Sequence, residues 1–155
     1  MDQITGSSNT KLEGIKAVPV TDSQAYFGAA QGLMHGARVL ASAGPNSAMA
    51  LTLITGHIVE CLLKSYLSHF GKTEQELRQH GVRHNLVSLW TQTISVGLAL
   101  NQIPPLWLSE IDNLHDSPFI LRYPMHLNGL VLPATEPMMT DLDTLLDAVR
   151  LGIRT

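Results

Sequence analysis

The chain has 155 residues and a net charge of −3, with 45% hydrophobic and 15% charged residues. This composition excludes a disordered chain and is typical of one globular domain with a buried core. The acidic balance excludes a broad basic surface for nucleic acid, so any phosphate contact must lie in a pocket or a dimer cleft. One cysteine, Cys61, excludes an intramolecular disulfide and a cysteine-rich zinc site.

The first 20 residues are polar and rich in Gly, Ser, Asn and Thr. They lack the apolar core of a signal peptide, and the chain contains no uninterrupted run of about 18 apolar residues that would span a membrane. We therefore expect residues 1–20 to form a loosely ordered lead-in, residues 21–155 to form a single domain, and the protein to be cytoplasmic.

The first predicted helix begins at a cap on Thr21, Asp22 or Ser23 and runs to about Ser42. It carries glycines four residues apart, at positions 28, 32 and 36. Glycine lowers helix stability by about 1 kcal/mol relative to Ala. The smooth stripe that this repeat creates favours close packing of the helix against another helix.

Turn and capping signals mark the next two helices. The segment "AGPNS" ends helix one and begins helix two, which is predicted over 47–70 with Gly71 as its C-terminal stop. The segment "TEQE" at 73–76 is a capping box that begins a short third helix. Helix two is the most strongly helical stretch of the chain.

Three further helices are predicted after residue 80. Asn85 caps a fourth helix over 86–100, the prolines of "IPPLW" begin a fifth that continues through "LSEIDNLH", and Thr135 caps the last. No alternating strand pattern of useful length occurs. The sequence therefore predicts an all-α, up-and-down helical bundle of about five to six helices. Carboxylates on different faces of the fifth helix are explained by a solvated surface: Glu110, Asp112 and Asp116.

Helix two is apolar nearly all round, except for one narrow polar stripe. His57, Glu60 and Lys64 are spaced i, i+3 and i+7, which places them within an arc of roughly 60°. In one interpretation this stripe is the only solvated face, and Glu60 pairs with Lys64 at the surface. In the other it lines a pocket or a dimer cleft, with His57 as a ligand contact. Cys61, at its edge, is expected in the core rather than as a nucleophile.

Several segments, in order, resemble the HEPN domains of prokaryotes over roughly residues 45–125. They are a His-x-x-Glu-x-x-x-Lys helix in "GHIVECLLKSYL", a glycine-ended turn, a short Glu/Leu-rich helix, the "HNLVSLW" opening of the next helix, and the corner "LRYP". The resemblance implies an all-α bundle that is usually dimeric. It implies a ribonuclease of toxin–antitoxin and defence systems, a partner of nucleotidyltransferases, or a binding or scaffold module.

Active HEPN ribonucleases carry an Arg followed after four to six residues by a His, and they cut RNA without a metal. In this chain three residues separate Arg122 from His126, and Pro124 disfavours a helix that would place both on one face. In the catalytic hypothesis Arg122 holds the scissile phosphate and His126 or His84 is the acid/base. In the structural hypothesis Arg122 ties a corner of the chain to a carboxylate or to carbonyls, and Tyr123 packs.

A second match to this pattern joins Arg78 to His84 across five residues. Gly81 interrupts the segment, which resembles a turn, and its polar side chains are either phosphate contacts or a solvated loop. No Gly-x-Ser-x-Gly, P-loop, dinucleotide-binding or His-Glu-x-x-His motif is present. His80 and His84 have i, i+4 spacing, but Gly81 and the lack of nearby cysteines predict no metal site, and no cofactor is expected.

We expect a HEPN-like homodimer, because a glycine-rich first helix and an apolar second helix are difficult to bury within one small bundle. The preferred function is a binding module for a nucleotide, RNA or a protein partner of the nucleotidyltransferase type. Its expected ligand-binding residues are His57, Glu60, Lys64, Arg122 and Tyr123. The alternatives are a metal-independent endoribonuclease and a purely structural dimerisation module, in which Glu60 and Lys64 would lie in open solvent.

Overall fold

The computed structural model describes residues 20–116, 119–123 and 129–154. Within these ranges the chain forms α-helices and no strand, which confirms the all-α prediction. The predicted lead-in lies outside the described residues, apart from its last residue. The helices are α1 (Asp22–Ser42), α2 (Ala48–His69), α3 (Glu74–Leu77), α4 (Leu86–Ser95), α5 (Leu106–His115) and α6 (Thr135–Gly152), with a short 3₁₀ turn (Pro45–Ser47) before α2.

Side-chain caps explain where three of these helices begin. Thr21 forms a capping box with Gln24 at the start of α1, and Thr73 forms another with Glu76 at the start of α3. Asn85 caps α4, since its side chain accepts a hydrogen bond from the third backbone N–H of that helix. The three predicted caps are therefore confirmed.

Glycine ends both α2 and α4. Gly71 has φ 95°, and the N–H of Lys72 beyond it donates to the carbonyl of Leu67 at 3.0 Å, which completes a Schellman motif. The prediction that α4 continues to residue 100 is wrong, because Gly97 adopts φ 106° and stops the helix at Ser95.

The starts of α5 and α6 differ slightly from the sequence prediction. Pro105 is the residue before α5, with an extended backbone, rather than a member of its first turn. Thr135 is the first residue of α6, and Ala134 stands at the capping position without a side-chain hydrogen bond. Thr135 is therefore not the cap.

The core of the fold surrounds α2, which packs most extensively against α1 and also contacts α4, α5 and α6. The face of α1 that meets the core carries Ala30, Met34 and Ala37, all buried. The glycine stripe at 28, 32 and 36 faces away, because a Cβ built on each of these residues meets no atom within 4 Å. The prediction that this stripe packs closely against another helix is therefore wrong for the described part of the chain.

The segment Pro45–His69 is long and apolar enough to cross a membrane by length and composition, with a mean hydropathy of 1.3. The sequence predicts no membrane-spanning segment when an uninterrupted run of apolar residues is required, whereas mean hydropathy tolerates a few polar residues. Of the apolar window, 56% is buried inside the fold, and the core helix of a soluble protein passes the same test. The position of α2 at the centre of the bundle accounts for its composition.

Candidate functional site

A buried carboxylate lies at the centre of the bundle. Glu60 on α2 is 5% exposed, and so is Lys64 one turn later. The Nζ atom of Lys64 donates to the Oε1 atom of Glu60 at 2.8 Å and lies 5.8 Å from the ring centre of Tyr26 on α1. The interpretation of this stripe as a solvated face is therefore wrong for Glu60 and Lys64, which side chains of α1, α5 and the loop before α4 contact, whereas His57 is exposed.

Two histidines from distant parts of the chain meet the other oxygen of this carboxylate. The Nδ1 atom of His84, just before α4, lies 3.2 Å from the Oε2 atom of Glu60, and the Nε2 atom of His115, at the end of α5, lies 2.9 Å from it. A carboxylate can only accept hydrogen bonds, so the proton belongs to the ring nitrogen that faces it. We call Glu60, Lys64, His84 and His115 the Glu60 cluster.

Capping interactions hold the two histidines where they meet. The Asp112 carboxylate accepts the backbone N–H of Leu86 at 2.5 Å, and the amide of Asn85 donates to the carboxylate of Asp116 at 3.3 Å. These contacts join the start of α4 to the end of α5, and His84 and His115 are direct neighbours of the residues involved. Asp112 and Asp116 are therefore not explained by a solvated surface alone.

The Glu60 cluster keeps its carboxylate charged. Burial by itself raises the pKa of Glu60, but the hydrogen bonds from His115, Lys64 and His84, together with the charge of Lys64, outweigh that effect and hold the pKa at about 2. Neighbouring Cys61 is 4% exposed, and burial raises the pKa of its thiol to about 11. The placement of Cys61 in the core is confirmed.

A pocket of about 300 Å³ opens beside the cluster. Three apolar side chains, two histidines and one arginine line it: Leu33, Leu53, Ile54, His57, His115 and Arg122. We call it the His115 pocket. Of the residues expected to bind a ligand, His57 and Arg122 are brought together at this pocket, whereas Glu60 and Lys64 are buried and do not line it.

His115 belongs both to the cluster and to the wall of this pocket. The residue is 1% exposed, and its Nδ1 atom has no hydrogen-bond partner among the described residues. Gly56 makes room for the ring, because a Cβ at that position would lie 2.7 Å from Nδ1. A buried nitrogen without a partner is unusual and requires an explanation.

His57 and Arg122 are the exposed polar groups of the pocket. Partial burial lowers the pKa of His57, the charge of Glu60 opposes this lowering, and Arg122 adds a smaller lowering effect. This lowering favours the neutral imidazole, and the guanidinium of Arg122 is the cationic group of the pocket. The Sγ atom of Cys61 lies 4.0 Å from the Nε2 atom of His57.

The corner that carries Arg122 is a turn. Phe119 has φ 61°, and the backbone N–H of Arg122 donates to the carbonyl of Phe119 at 2.9 Å. The guanidinium lies 5.6 Å from the centre of the Phe119 ring, and His84 meets the same ring edge-on at 5.5 Å. Tyr123 is 66% exposed, so the expected packing of its ring is absent. The expected catalytic residue His126 lies outside the described residues.

The second Arg–His match does not converge on one site. Arg78 donates to the carboxylate of Glu74 at 2.5 Å, and the Tyr26 hydroxyl donates to the same carboxylate at 2.6 Å. His84 instead faces Glu60 in the buried cluster. The two residues therefore serve different carboxylates.

Sequence reasoning overlooked His115 and the set of metal-type ligands that it completes. The ligand atoms of Glu60, His84 and His115 all lie within 4.8 Å of one another. One signal was available: His115 follows Leu108 and Ile111 along the buried face of α5, and a histidine on an apolar face needs a polar partner.

Comparison with known proteins gives no relative for this chain. No family model, no curated protein and no solved structure matches it.

Proposed function

We propose that the chain is a HEPN-like binding module that holds a nucleotide or an RNA end in the His115 pocket. One observation carries the proposal: a buried imidazole with an unpartnered nitrogen lines a largely apolar pocket together with an exposed arginine. Ligand pockets commonly combine apolar walls with a few polar groups that fix the orientation of the ligand.

The chemistry of the wall indicates how such a ligand would lie. Leu33, Leu53 and Ile54 offer an apolar surface to a base or ribose. Arg122 offers a delocalised cation suited to phosphate oxygens. Because it lies at a pocket, it can contact phosphate even though the chain as a whole has a net negative charge. When the His115 ring has its one proton on Nε2, its Nδ1 atom is an acceptor that an amino or hydroxyl group can satisfy.

Glu60 and Lys64 have a different role in this proposal from the one that the sequence predicts. Both are buried and bonded to each other, so they position His115 and do not contact the ligand. Tyr123 follows the lining residue Arg122 in the chain but does not itself line the pocket. His57 and Arg122 keep their proposed role as ligand contacts.

The proposed assembly is a cytoplasmic homodimer. The outward glycine stripe of α1 leaves a flat helix face that a second copy can approach closely. The toxin–antitoxin or defence context and a nucleotidyltransferase-type partner follow from the HEPN resemblance alone.

A metal-independent endoribonuclease is the second candidate. The observation that favours it is that the pocket brings His57, whose pKa is lowered, next to Arg122. A neutral imidazole can accept the proton of a ribose hydroxyl while a guanidinium stabilises the phosphate charge. His84, an expected acid/base, faces Glu60 instead, and His126 remains a candidate.

Equilibrium binding of fluorescent ATP and of a short mixed-sequence RNA, in excess chelator, tests the first proposal. Arg122→Ala should weaken binding by about 10-fold or more, since a charged hydrogen bond contributes about 1.5–3 kcal/mol. The matched control is Arg83→Ala, an exposed arginine outside the pocket, which should change affinity by less than about twofold.

Equal losses in both variants, or no binding by the wild type at millimolar ligand, would set the proposal aside. The same samples run on a denaturing gel decide the second candidate. Cleavage that disappears in Arg122→Ala and in His57→Ala or His126→Ala identifies a ribonuclease, whereas intact RNA bound by the wild type identifies a binding module.

A further inference from the structure

We propose that Glu60, His84 and His115 form a binding site for a divalent transition metal of the Zn²⁺ type. The three residues come from α2, the loop before α4 and the end of α5. Two imidazoles and one carboxylate make up a known three-ligand set for zinc, which leaves a fourth position for water or another ligand.

The separations of the ligand atoms fit such an ion with small adjustments. Bonds of zinc to nitrogen and oxygen near 2.1 Å place tetrahedral ligand atoms about 3.3–3.5 Å apart. The Oε2 atom of Glu60 lies 3.2 Å from Nδ1 of His84 and 2.9 Å from Nε2 of His115. All three atoms lie within 4.8 Å of one another, so side-chain shifts of up to about an ångström seat the ion.

Lys64 positions the carboxylate for this task. Its Nζ atom binds Oε1 of Glu60 at 2.8 Å, which leaves Oε2 directed at both imidazoles. Such an interaction behind a ligand fixes the orientation of the ligand and is a regular feature of metal sites. Lys64 is a positioning residue in this proposal.

The charge of Lys64 also sets the kind of complex that forms. A dication beside one carboxylate and one ammonium leaves an excess of positive charge in a buried place, which opposes binding of the bare ion. An anionic fourth ligand, such as hydroxide, reduces that excess. We expect this charge effect to outweigh the positioning hydrogen bond, so that removal of the ammonium strengthens metal binding.

The proton balance is simple for neutral imidazoles. In the absence of metal, each ring donates its proton to Oε2. When the ion binds these two nitrogens, each ring's single proton moves to its other nitrogen, so both rings change tautomer and no proton is released overall. For His84 the ring is 24% exposed and meets water. For His115 that nitrogen is Nδ1, which has no partner among the described residues and belongs to a residue of the pocket wall.

Metal content after equilibrium dialysis of the full chain, without a histidine tag, tests the site directly. We expect the wild type to retain one equivalent of Zn²⁺, and the Co²⁺ form to show the absorption of a tetrahedral complex. His84→Ala should lose both signals. The matched control is His80→Ala, an exposed histidine outside the cluster, which should retain both.

A second measurement, thermal unfolding with and without metal, tests the site even if His84→Ala fails to fold. In Lys64→Met the carboxylate is left without its cation, so the Tm should fall without metal and rise on addition of Zn²⁺ by more than in the wild type. At about 100 times the dissociation constant the wild-type Tm should itself rise by about 5–10 °C. Lys72→Met, which removes a surface lysine 3.9 Å from Glu76, is the control.

Three results would overturn the proposal: a wild type without bound metal, equal metal content in the wild type and a folded His84→Ala, or no metal-dependent recovery of Lys64→Met. None of these measurements includes a nucleotide. Failure of the metal site is therefore distinct from failure of the proposed binding function.

Discussion

The Nε2 atom of His115 lies 2.9 Å from the Oε2 atom of Glu60, although 55 residues separate them along the chain. Both residues are buried, and Lys64 neutralises the carboxylate from the other side. The contact joins the end of α5 to the centre of α2 and directs the second nitrogen of His115 away from the carboxylate. The stability of the bundle and the properties of the pocket therefore depend on the same few side chains.

The lowered pKa of Glu60 predicts a loss of stability in acid. Its pKa of about 2 in the folded state lies below the ordinary value of 4.5. The associated stabilisation is complete above the ordinary pKa and is lost as pH falls through the folded value. It amounts to about 3 kcal/mol between about pH 6 and pH 2.

Urea unfolding at a series of pH values measures this loss. In Glu60→Gln the free energy of unfolding should be lower at pH 7, and its decline in acid should be smaller than in the wild type. Glu110→Gln, on the exposed surface of α5, is the control. Parallel pH curves for the wild type and Glu60→Gln would contradict the prediction.

Gly56→Ala should destabilise the fold, although Ala is the better helix former. Its Cβ would lie 2.7 Å from Nδ1 of His115 and 3.2 Å from Cγ2 of Ile111. Overpacking of this kind costs about 1–3 kcal/mol, which exceeds or offsets a helix gain of about 1 kcal/mol.

Gly32→Ala is the matched control, since its Cβ meets no atom within 4 Å. In the monomeric chain, Gly32→Ala should raise the free energy of unfolding by up to about 1 kcal/mol, because Ala is the better helix former. Thermal or urea unfolding compares the two variants. An equal gain in stability from both would mean that His115 moves freely away from Gly56.

The thiol of Cys61 should be unreactive in the folded protein. Burial raises its pKa to about 11, so at pH 8 the thiolate fraction is lower by about 100-fold than for an ordinary thiol. Labelling with a disulfide reagent should be slow without urea and complete in urea. Rapid stoichiometric labelling of the folded chain would show that the thiol is accessible.

Asp112→Ala should destabilise the start of α4. The carboxylate accepts the N–H of Leu86 at 2.5 Å, and loss of such a cap costs about 1–2 kcal/mol. Glu110→Ala, on the exposed face of the same helix, should change the free energy of unfolding by less than about 0.5 kcal/mol. Similar values for the two variants would assign Asp112 to the solvated surface after all.

The sequence by itself determined the helices and most of their ends. Thr21, Thr73 and Asn85 cap helices through hydrogen bonds to residues three positions away, and Gly71 ends α2 through its own backbone conformation. Such signals are local, so they can be recognised without knowledge of the neighbouring elements. The apolar character of α2 likewise indicated its central place.

Only the tertiary structure decided what these helices cover and what they bring together. The spacing of Glu60 and Lys64 predicts their ion pair, but whether that pair meets water depends on α1, α5 and the loop before α4. In the same way, no local signal joins His115 to Glu60 or turns the glycines of α1 outward. Burial and long-range contacts arise from the packing of whole elements, and a short window of sequence contains only one partner of each contact.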